Sequence, residues 1–411
     1  MVAVVFLAPV FAGCFGAPPV TPPPPGTRDL DLVIGAMNPL TGALSSLGPS
    51  MQNATKLAVK DVNAANLGLT IVAHYEDDKT TDSTAAPNTF NSLIAKGVAA
   101  IEGPCCSGIT GSILDLAKQN QVVVASPSAT SPALTLTRDN GGYFWRMAPS
   151  DAVQGKVLAN LVKGDSVTSV RIVAINNAYG TGLANVFKDT FVAGGGTVDK
   201  TILYDEGAVT FASQVTEVCA APRPAGLVMV VYTDEGASIL KEMEAQGCRS
   251  AFKIFASEGV YDPSGTLATK AGQNGAGDWL AAGIKGTNPE SGSLTLWENH
   301  YKAEYTSSPE AYSAEAYDAV IYIALAAFEA NSVKGKDLPA AFQKIANSPG
   351  TECSTFATCA VLIVAGVDID YKGFSHNFNF DAKYEPTTGI YSWWEITAAG
   401  AMTTIATGKS A

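Results

Sequence analysis

The stretch "GPCCSGITGS" (residues 103–112) sets two adjacent cysteines and several small hydroxyl residues between the apolar segment "VAAIE" and the helix-like "ILDLAKQN". Two kinds of chemistry use such a place. A thiol or hydroxyl there can attack a substrate, or the unpaired N–H groups and positive dipole end of a helix can hold an anion, with small hydroxyls as extra donors. The first reading lacks partners. No basic residue stands near Cys105 or Cys106 to lower a thiol pKa, and around Ser107 the Gly-x-Ser-x-Gly pattern is absent, since residue 105 is Cys and residue 109 is Ile. The anion cradle fits better, with Ser107 and Thr110 as donors. One strand later "SPSATSP" (126–132) repeats the device. Helix capping explains either cluster alone; two at neighbouring strand ends point to one crevice, where open α/β sheets take ligands.

A complementary acid stands in "ASEGVYD", where Glu258 follows the apolar "KIFAS" and precedes Gly259. Tyr179 and Tyr232 occupy similar strand-end places and offer flat walls and a hydroxyl. Their ordinary alternatives are a solvated glutamate and core or rim aromatics. The histidines His74, His300 and His376 are scattered without metal-ligand spacing. "YGTGLAN" lacks the third glycine of a dinucleotide fingerprint, and no phosphate-loop Gly-Lys-Ser/Thr is present. Neither a metal nor a cofactor is expected, and no enzymatic activity.

These residues need a frame to position them. With 411 residues and 47% hydrophobic composition, the chain can bury two domains' worth of core. Its formal charge of -12, with no basic block, excludes a nucleic-acid footprint. From residue 30, strand-like "LDLVIGAM", "LTIVAHY", "VAAIEG" and "QVVVAS" alternate with helical periods, predicting a parallel α/β sheet. After "YFWRMAPSD" the alternation restarts with "SVRIVAIN", "GLVMVVY" and "FKIFASE", predicting a second lobe. Residues 297–345 read as mostly helical, and "SAEAYDAVIYIALAAFEA" is apolar enough all round to be buried.

The N-terminal "VAVVFLAPVFAGC" is too short to span a bilayer and reads as an export signal, a buried strand being the competing reading. The proline-rich "FGAPPVTPPPPGTRD" after it reads as an extended tether. Six cysteines follow Cys14, an even number that suits disulfides outside the cytoplasm. Cys353 and Cys359 can close a short loop, and Cys219 and Cys248 can join successive helix ends. That leaves Cys105 and Cys106 as a vicinal disulfide, two thiols, or partners of others.

Together "IGAMNPLTGALSSLG", "LAVKDVNAAN", "IEGPCCSGIT", "VVVASPSATSP", "FWRMAPSD", "NNAYGTGLANVF", "VYTDEGASILKEMEAQG" and "ASEGVYD" carry a family resemblance, in order and spacing, from residue 30 onward. The chain resembles the type I periplasmic solute-binding proteins of the Leu/Ile/Val-binding branch of ABC transport. The resemblance implies two doubly wound Rossmann-like lobes joined by three crossings, near Pro149, Lys285 and Tyr371. Lobe 1 would hold residues 30–148 and 286–370, and lobe 2 residues 149–285 and 371–411. It implies an amino acid whose carboxylate meets Ser107 and Thr130, with backbone contacts at Ser128. Glu258 would meet the ammonium, and Tyr179 and Tyr232 would close over the ligand. Leu47, Cys106 and Tyr312 would line the pocket further out. "FAGC" resembles a lipobox, implying a signal peptide over residues 1–14, a lipid on Cys14 and a tether over 15–29. The implied protein is an extracytoplasmic, lipid-anchored monomer that delivers its ligand to a membrane permease by hinge closure. The alternative is a sensing module of the same fold for other amino acids, amides or urea-like compounds.

Overall fold

Strand ends set the positions of all the candidate residues, so sheet order decides whether they meet. The structure, a computed structural model, describes residues 28–80, 82–136, 138–290, 294–376 and 379–411. The expected signal peptide, Cys14 and the tether up to residue 27 lie outside them.

The first lobe opens with β1 (Leu30–Asn38), α1 (Gly48–Ala65), β2 (Leu69–Asp77), α2 (Ala86–Ala95), β3 (Ala100–Glu102), α3 (Ser107–Asn120), β4 (Val123–Ser126), α4 (Ala133–Leu136) and β5 (Phe144–Arg146). Its sheet runs β2-β1-β3-β4-β5, parallel throughout. The second lobe continues with α5 (Asp151–Gly164), β6 (Ser169–Ile175), α6 (Ala178–Ala193), β7 (Thr197–Tyr204), α7 (Ala212–Cys219), β8 (Gly226–Val230), α8 (Thr233–Ala245), β9 (Lys253–Ala256), α9 (Thr266–Ala271) and β10 (Lys285–Pro289). The chain then returns to the first lobe as α10 (Leu294–Glu304), α11 (Ser313–Ala330), α12 (Leu338–Ile345), β11 (Thr351–Cys353), α13 (Phe356–Val364) and β12 (Ile369–Tyr371). Last, β13 (Tyr391–Ile396) and β14 (Met402–Lys409) add antiparallel strands to a second sheet ordered β14-β13-β10-β9-β8-β6-β7.

Both lobes share one plan. Counting strands within each lobe, both follow the doubly wound order 2-1-3-4-5, with the chain's direction of progress reversing between β1 and β3 and between β6 and β8. The strands read as apolar runs because helices cover both faces; every residue of β4 and β8 is buried. As its composition predicts, α11 is buried almost all round, from Ser313 to Phe328. Each sheet carries its own apolar core.

Two expected crossings move. Lys285 begins β10, which pairs with β9 and β13 in the second sheet, so the return to the first lobe falls after Pro289 rather than at Lys285. The chain after Tyr371 stays with the first lobe because the buried Asp318 of α11 holds it. That carboxylate accepts from the Tyr371 hydroxyl at 2.8 Å, the Phe374 N–H at 3.2 Å, and the Ser375 N–H and hydroxyl at 2.7 and 2.6 Å. Tyr384 then stacks on Trp145. The last crossing therefore lies near Gly389, where a Cβ would stand 2.8 Å from that of Pro149. The Glu290 N–H donates to the Ile390 carbonyl at 2.8 Å, so the three crossings run side by side.

Both pairings that spacing allowed are present, Cys219–Cys248 and Cys353–Cys359. Among the described residues no helix is long and apolar enough to cross a membrane. Replacing Asp318→Ala strands several buried donors at once. It should lower the unfolding free energy by about 2–4 kcal/mol in a denaturant titration followed by circular dichroism.

Candidate functional site

The carboxyl ends of the two sheets enclose a cavity of about 180 Å³. Its walls are the segments that follow the strands at both switch points: residues 43–47 after β1, Cys105–Ser107 after β3, Tyr179 after β6 and Tyr232–Asp234 after β8. Ser128 after β4, residues between 258 and 266 after β9, Lys270 in α9 and Glu310–Tyr312 line it too; Lys270 is paired with Asp234. Of the residues expected from sequence, Ser107, Ser128, Tyr179, Tyr232, Glu258, Leu47, Cys106 and Tyr312 all line this one space.

A tight turn aims the first wall. At the end of β3, Gly103 has φ +93°, and a Cβ there would come within 2.1 Å of the Met37 carbonyl oxygen, so only glycine fits. The chain then reaches Ser107, the first residue of α3, whose N-cap residue Cys106 makes no side-chain capping bond. The first-turn N–H groups of α3 are thus left to whatever enters. The Ser107 hydroxyl oxygen accepts the Ser131 N–H at 3.1 Å, which leaves its own hydrogen to donate. Ser128 donates to the Cys105 carbonyl at 2.7 Å and ties the two loops together.

Thr130 and Thr110 are corrections. The Thr130 hydroxyl donates to Asp151 Oδ2 at 3.0 Å, so its single hydrogen is committed, and it does not line the cavity. Thr110 faces the Pro104 carbonyl at 3.4 Å. Arg146 shapes the Thr130 loop from below: fully buried, it donates to the carbonyls of Ala129 and Ser131 and pairs with Glu385 at 2.9 Å.

On the opposite wall Glu258 follows β9, and the chain packs so closely there that a Cβ on Gly259 would meet the Val231 carbonyl oxygen at 2.5 Å. Gln154 donates to the Glu258 carboxylate and, at 3.1 Å, to Thr287. Burial pushes Glu258 up to about 7, against the pull of the Tyr179 and Gln154 donors. Behind it lies Asp151, whose carboxyl is held well above its ordinary range by burial and then by the Glu258 charge. Its Oδ1 is buried and has no hydrogen-bond partner. Asp151 thus stands within the fields of Glu258 and Glu385 as well as that of Arg146, which is already paired with Glu385, and an entering cation would relieve the excess of acid.

Two stacked rings cross the space, Tyr179 and Tyr232, with centroids 5.6 Å apart; the Tyr179 hydroxyl bonds Ser257 at 2.8 Å. Tyr312 holds φ +63° with a buried hydroxyl lacking a partner, local strain of the kind kept at sites of function. Apolar contact comes from Leu47 and Leu44, and Leu44 packs against both cores. No histidine lines the cavity among the described residues; burial raises the Cys105 thiol, and the Cys106 thiol is raised too, its lowering bond from Cys105 being outweighed by burial and the Asp78 and Glu206 charges.

Sequence reasoning missed Asp151, Gln154 and Leu44. Asp151 follows an N-cap serine, Ser150, and reads as an ordinary first-turn acid. Its only signal was spacing: Asp151 and Gln154 stand three apart, on one helix face.

Known proteins share this fold. Residues 50–398 match the family described as the receptor family ligand binding region. The chemotactic signal transduction system substrate-binding protein BasB of Halobacterium salinarum is 26% identical over 383 residues, 90% of this chain and 88% of that one. The Leu/Ile/Val-binding protein homolog 2 of Brucella abortus is 27% identical over 379 residues, 90% of this chain and 91% of that one. Among solved structures, the leucine-binding protein LivK of Thermotoga maritima matches with TM-score 0.73 at 21% identity, covering 92% and 99% of the two chains. A solute-binding protein of an ABC transporter from R. palustris, in complex with benzoate, matches with TM-score 0.71 at 17% identity, covering 93% and 97%. The doubly wound, two-lobed fold is that of the type I periplasmic binding proteins, and the chain belongs to the receptor family of ligand-binding regions.

Proposed function

We propose that the chain is the substrate-binding component of an ABC transporter and that it closes around the zwitterion of an aliphatic L-amino acid. One observation carries the reading: a hydroxyl at an open helix N-terminus, Ser107, shares a cavity with a buried acid pair that lacks a matching cation, Glu258 backed by Asp151. The ligand carboxylate sits on the Ser107 hydroxyl and the first N–H groups of α3. Its ammonium meets Glu258, Tyr179 and Tyr232 cover its backbone, and its side chain lies toward Leu44 and Leu47. Thr130 acts through Asp151 rather than on the ligand. Closure of the lobes is the signal to a membrane permease. Two disulfides agree with a place outside the cytoplasm, where Cys14 would carry the lipid anchor.

A second reading follows from BasB, whose name ties it to chemotactic signalling: the same cavity would then report to a sensor partner. An aromatic acid, as in the benzoate complex, suits the site poorly, because such a ligand brings a negative charge and no ammonium to Glu258 and Asp151.

Calorimetry with L-leucine should detect one site per chain, and benzoate should give no heat. Glu258→Ala leaves the ammonium unpaired in a dry site, a loss of about 3–5 kcal/mol, so Kd should rise by about two to four orders of magnitude. An unchanged Kd would refute the role of Glu258.

The raised Glu258 pKa gives two opposite pH dependences. Leucine binding needs the ionised carboxylate, so affinity should fall about tenfold per unit as pH drops below about 7. In the ligand-free protein the sign reverses. The folded state holds the proton up to about pH 7 and the unfolded chain releases it near its ordinary value of 4.5, so stability present at low pH is lost between those values. Buried Asp78, raised to about 6, and Glu102, raised to about 8, act the same way. The Tm of the ligand-free protein should thus be lower at pH 7.5 than at 5.5, and Glu258→Gln should shrink the difference; a flat profile would count against the buried, protonated acid.

A further inference from the structure

We propose that Cys105 and Cys106 are a thiol-modification site: they close to a vicinal disulfide in the wall of the ligand cavity, by exchange with a disulfide donor outside the cytoplasm. Of the six cysteines after Cys14, four already form two bridges, and the remaining two are neighbours in sequence that both line the cavity. Their Sγ atoms lie 3.0 Å apart. Local bonds hold them so: the Cys105 N–H donates to Asp78 at 2.9 Å, and the Cys106 thiol to the Thr80 carbonyl at 3.2 Å.

Asp78 comes within 4.8 Å of both sulfurs, which makes a thiophilic cation the rival use. Two features weigh against it. Both Asp78 oxygens already accept backbone N–H groups, from Thr80 and Cys105. Two sulfurs on tetrahedral zinc, with bonds of about 2.3 Å, stand about 3.8 Å apart, wider than this pair.

In the exchange, one thiolate attacks a donor sulfur and expels the first donor thiolate, leaving a mixed disulfide. The neighbouring thiol loses its proton, attacks that bond and expels the second. The pair gives up two electrons and two protons, and the donor leaves as two thiols. Burial raises the Cys105 thiol, and against its bond with Cys105 the Cys106 thiol is raised by burial and the Asp78 and Glu206 charges, so exchange belongs to the open or folding chain. Adjacent Cα atoms stand about 3.8 Å apart, below the usual span of a disulfide, which makes this bridge the most easily reduced of the three. Because Ser107 follows directly, closing the ring resets the first residue of the anion cradle. That last consequence rests on the proposed function; the bridge itself does not.

The test uses the full chain, exported and purified without reductant, then alkylated with iodoacetamide under denaturing conditions. The tryptic peptide spanning residues 97–118 should be unmodified and about 2 Da lighter than its reduced form. It should carry two alkyl groups after mild phosphine treatment that leaves the other bridges intact. Two alkylated cysteines in the unreduced protein, or zinc retained on both thiols in native mass spectra, would overturn the bridge. In Cys105→Ser the lone Cys106 should alkylate without reductant. L-leucine calorimetry should give Kd values differing at least about threefold between bridged and reduced protein, and equal values would overturn the coupling. Absence of leucine binding in both forms, with the bridge found, would count against the amino-acid reading and still support the bridge.

Discussion

A buried charge imbalance organises this molecule. Arg146 lies fully inside the first lobe, and its guanidinium is spent on Glu385 and on the carbonyls of the loop that follows β4. Asp151 and Glu258 are left to share what remains, and burial alone would not keep two ionised carboxylates side by side. The ligand-free site resolves the conflict by holding on to protons. An ammonium resolves it better, since it brings the opposite charge and donors to the same place. In the proposed function, selectivity for a zwitterion over a plain acid then needs no group beyond those already holding the fold.

The frame that makes this possible is one topology used twice. In each lobe the switch between the first and third strands leaves two loops diverging from a gap, and in both lobes the gap faces the other sheet. Donors come from the first lobe because α3 presents its N-terminus there. Acids come from the second because β9 ends in a short turn and α5 enters beside it. In the proposed binding mode neither half suffices by itself: the anion cradle without the acids would take many anions, and the acids without the cradle would take many amines.

Strand ends were legible in the sequence, and so were Ser107, Tyr179, Tyr232 and Glu258, because apolar runs ending in small or polar residues mark where a parallel sheet opens; the roles of Ser128, Leu47, Cys106 and Tyr312 came from the family resemblance. Direction was not legible. Thr130 stands in the right loop, yet its hydroxyl turns inward to Asp151, and only the packing of α5 against that loop decides this. Asp151 itself hides behind a capping serine. The last crossing was misplaced for a related reason: "YKGFSH" looks like a linker, while Asp318, more than fifty residues earlier, pins it to the first lobe. Buried polar contacts between distant segments carry no local periodicity to read.

The closure proposed for this chain has to be reversible, and the contacts between lobes suit that. Apart from the three crossings, α6 approaches the first lobe through Gly182, where an added Cβ would stand 3.0 Å from the Ser131 hydroxyl oxygen. Near α3, the Glu206 carboxylate, held by Asn177, would be 3.8 Å from a Cβ on Gly108. Small residues at both places let the surfaces meet without interlocking side chains, so little dispersion energy is gained by touching alone. Leu44 is the exception, since it packs against both cores and lines the cavity as well. The balance between open and closed is therefore left to the cavity's contents. A ligand that satisfies Ser107 on one side and Glu258 on the other supplies the differential affinity that a two-state hinge requires.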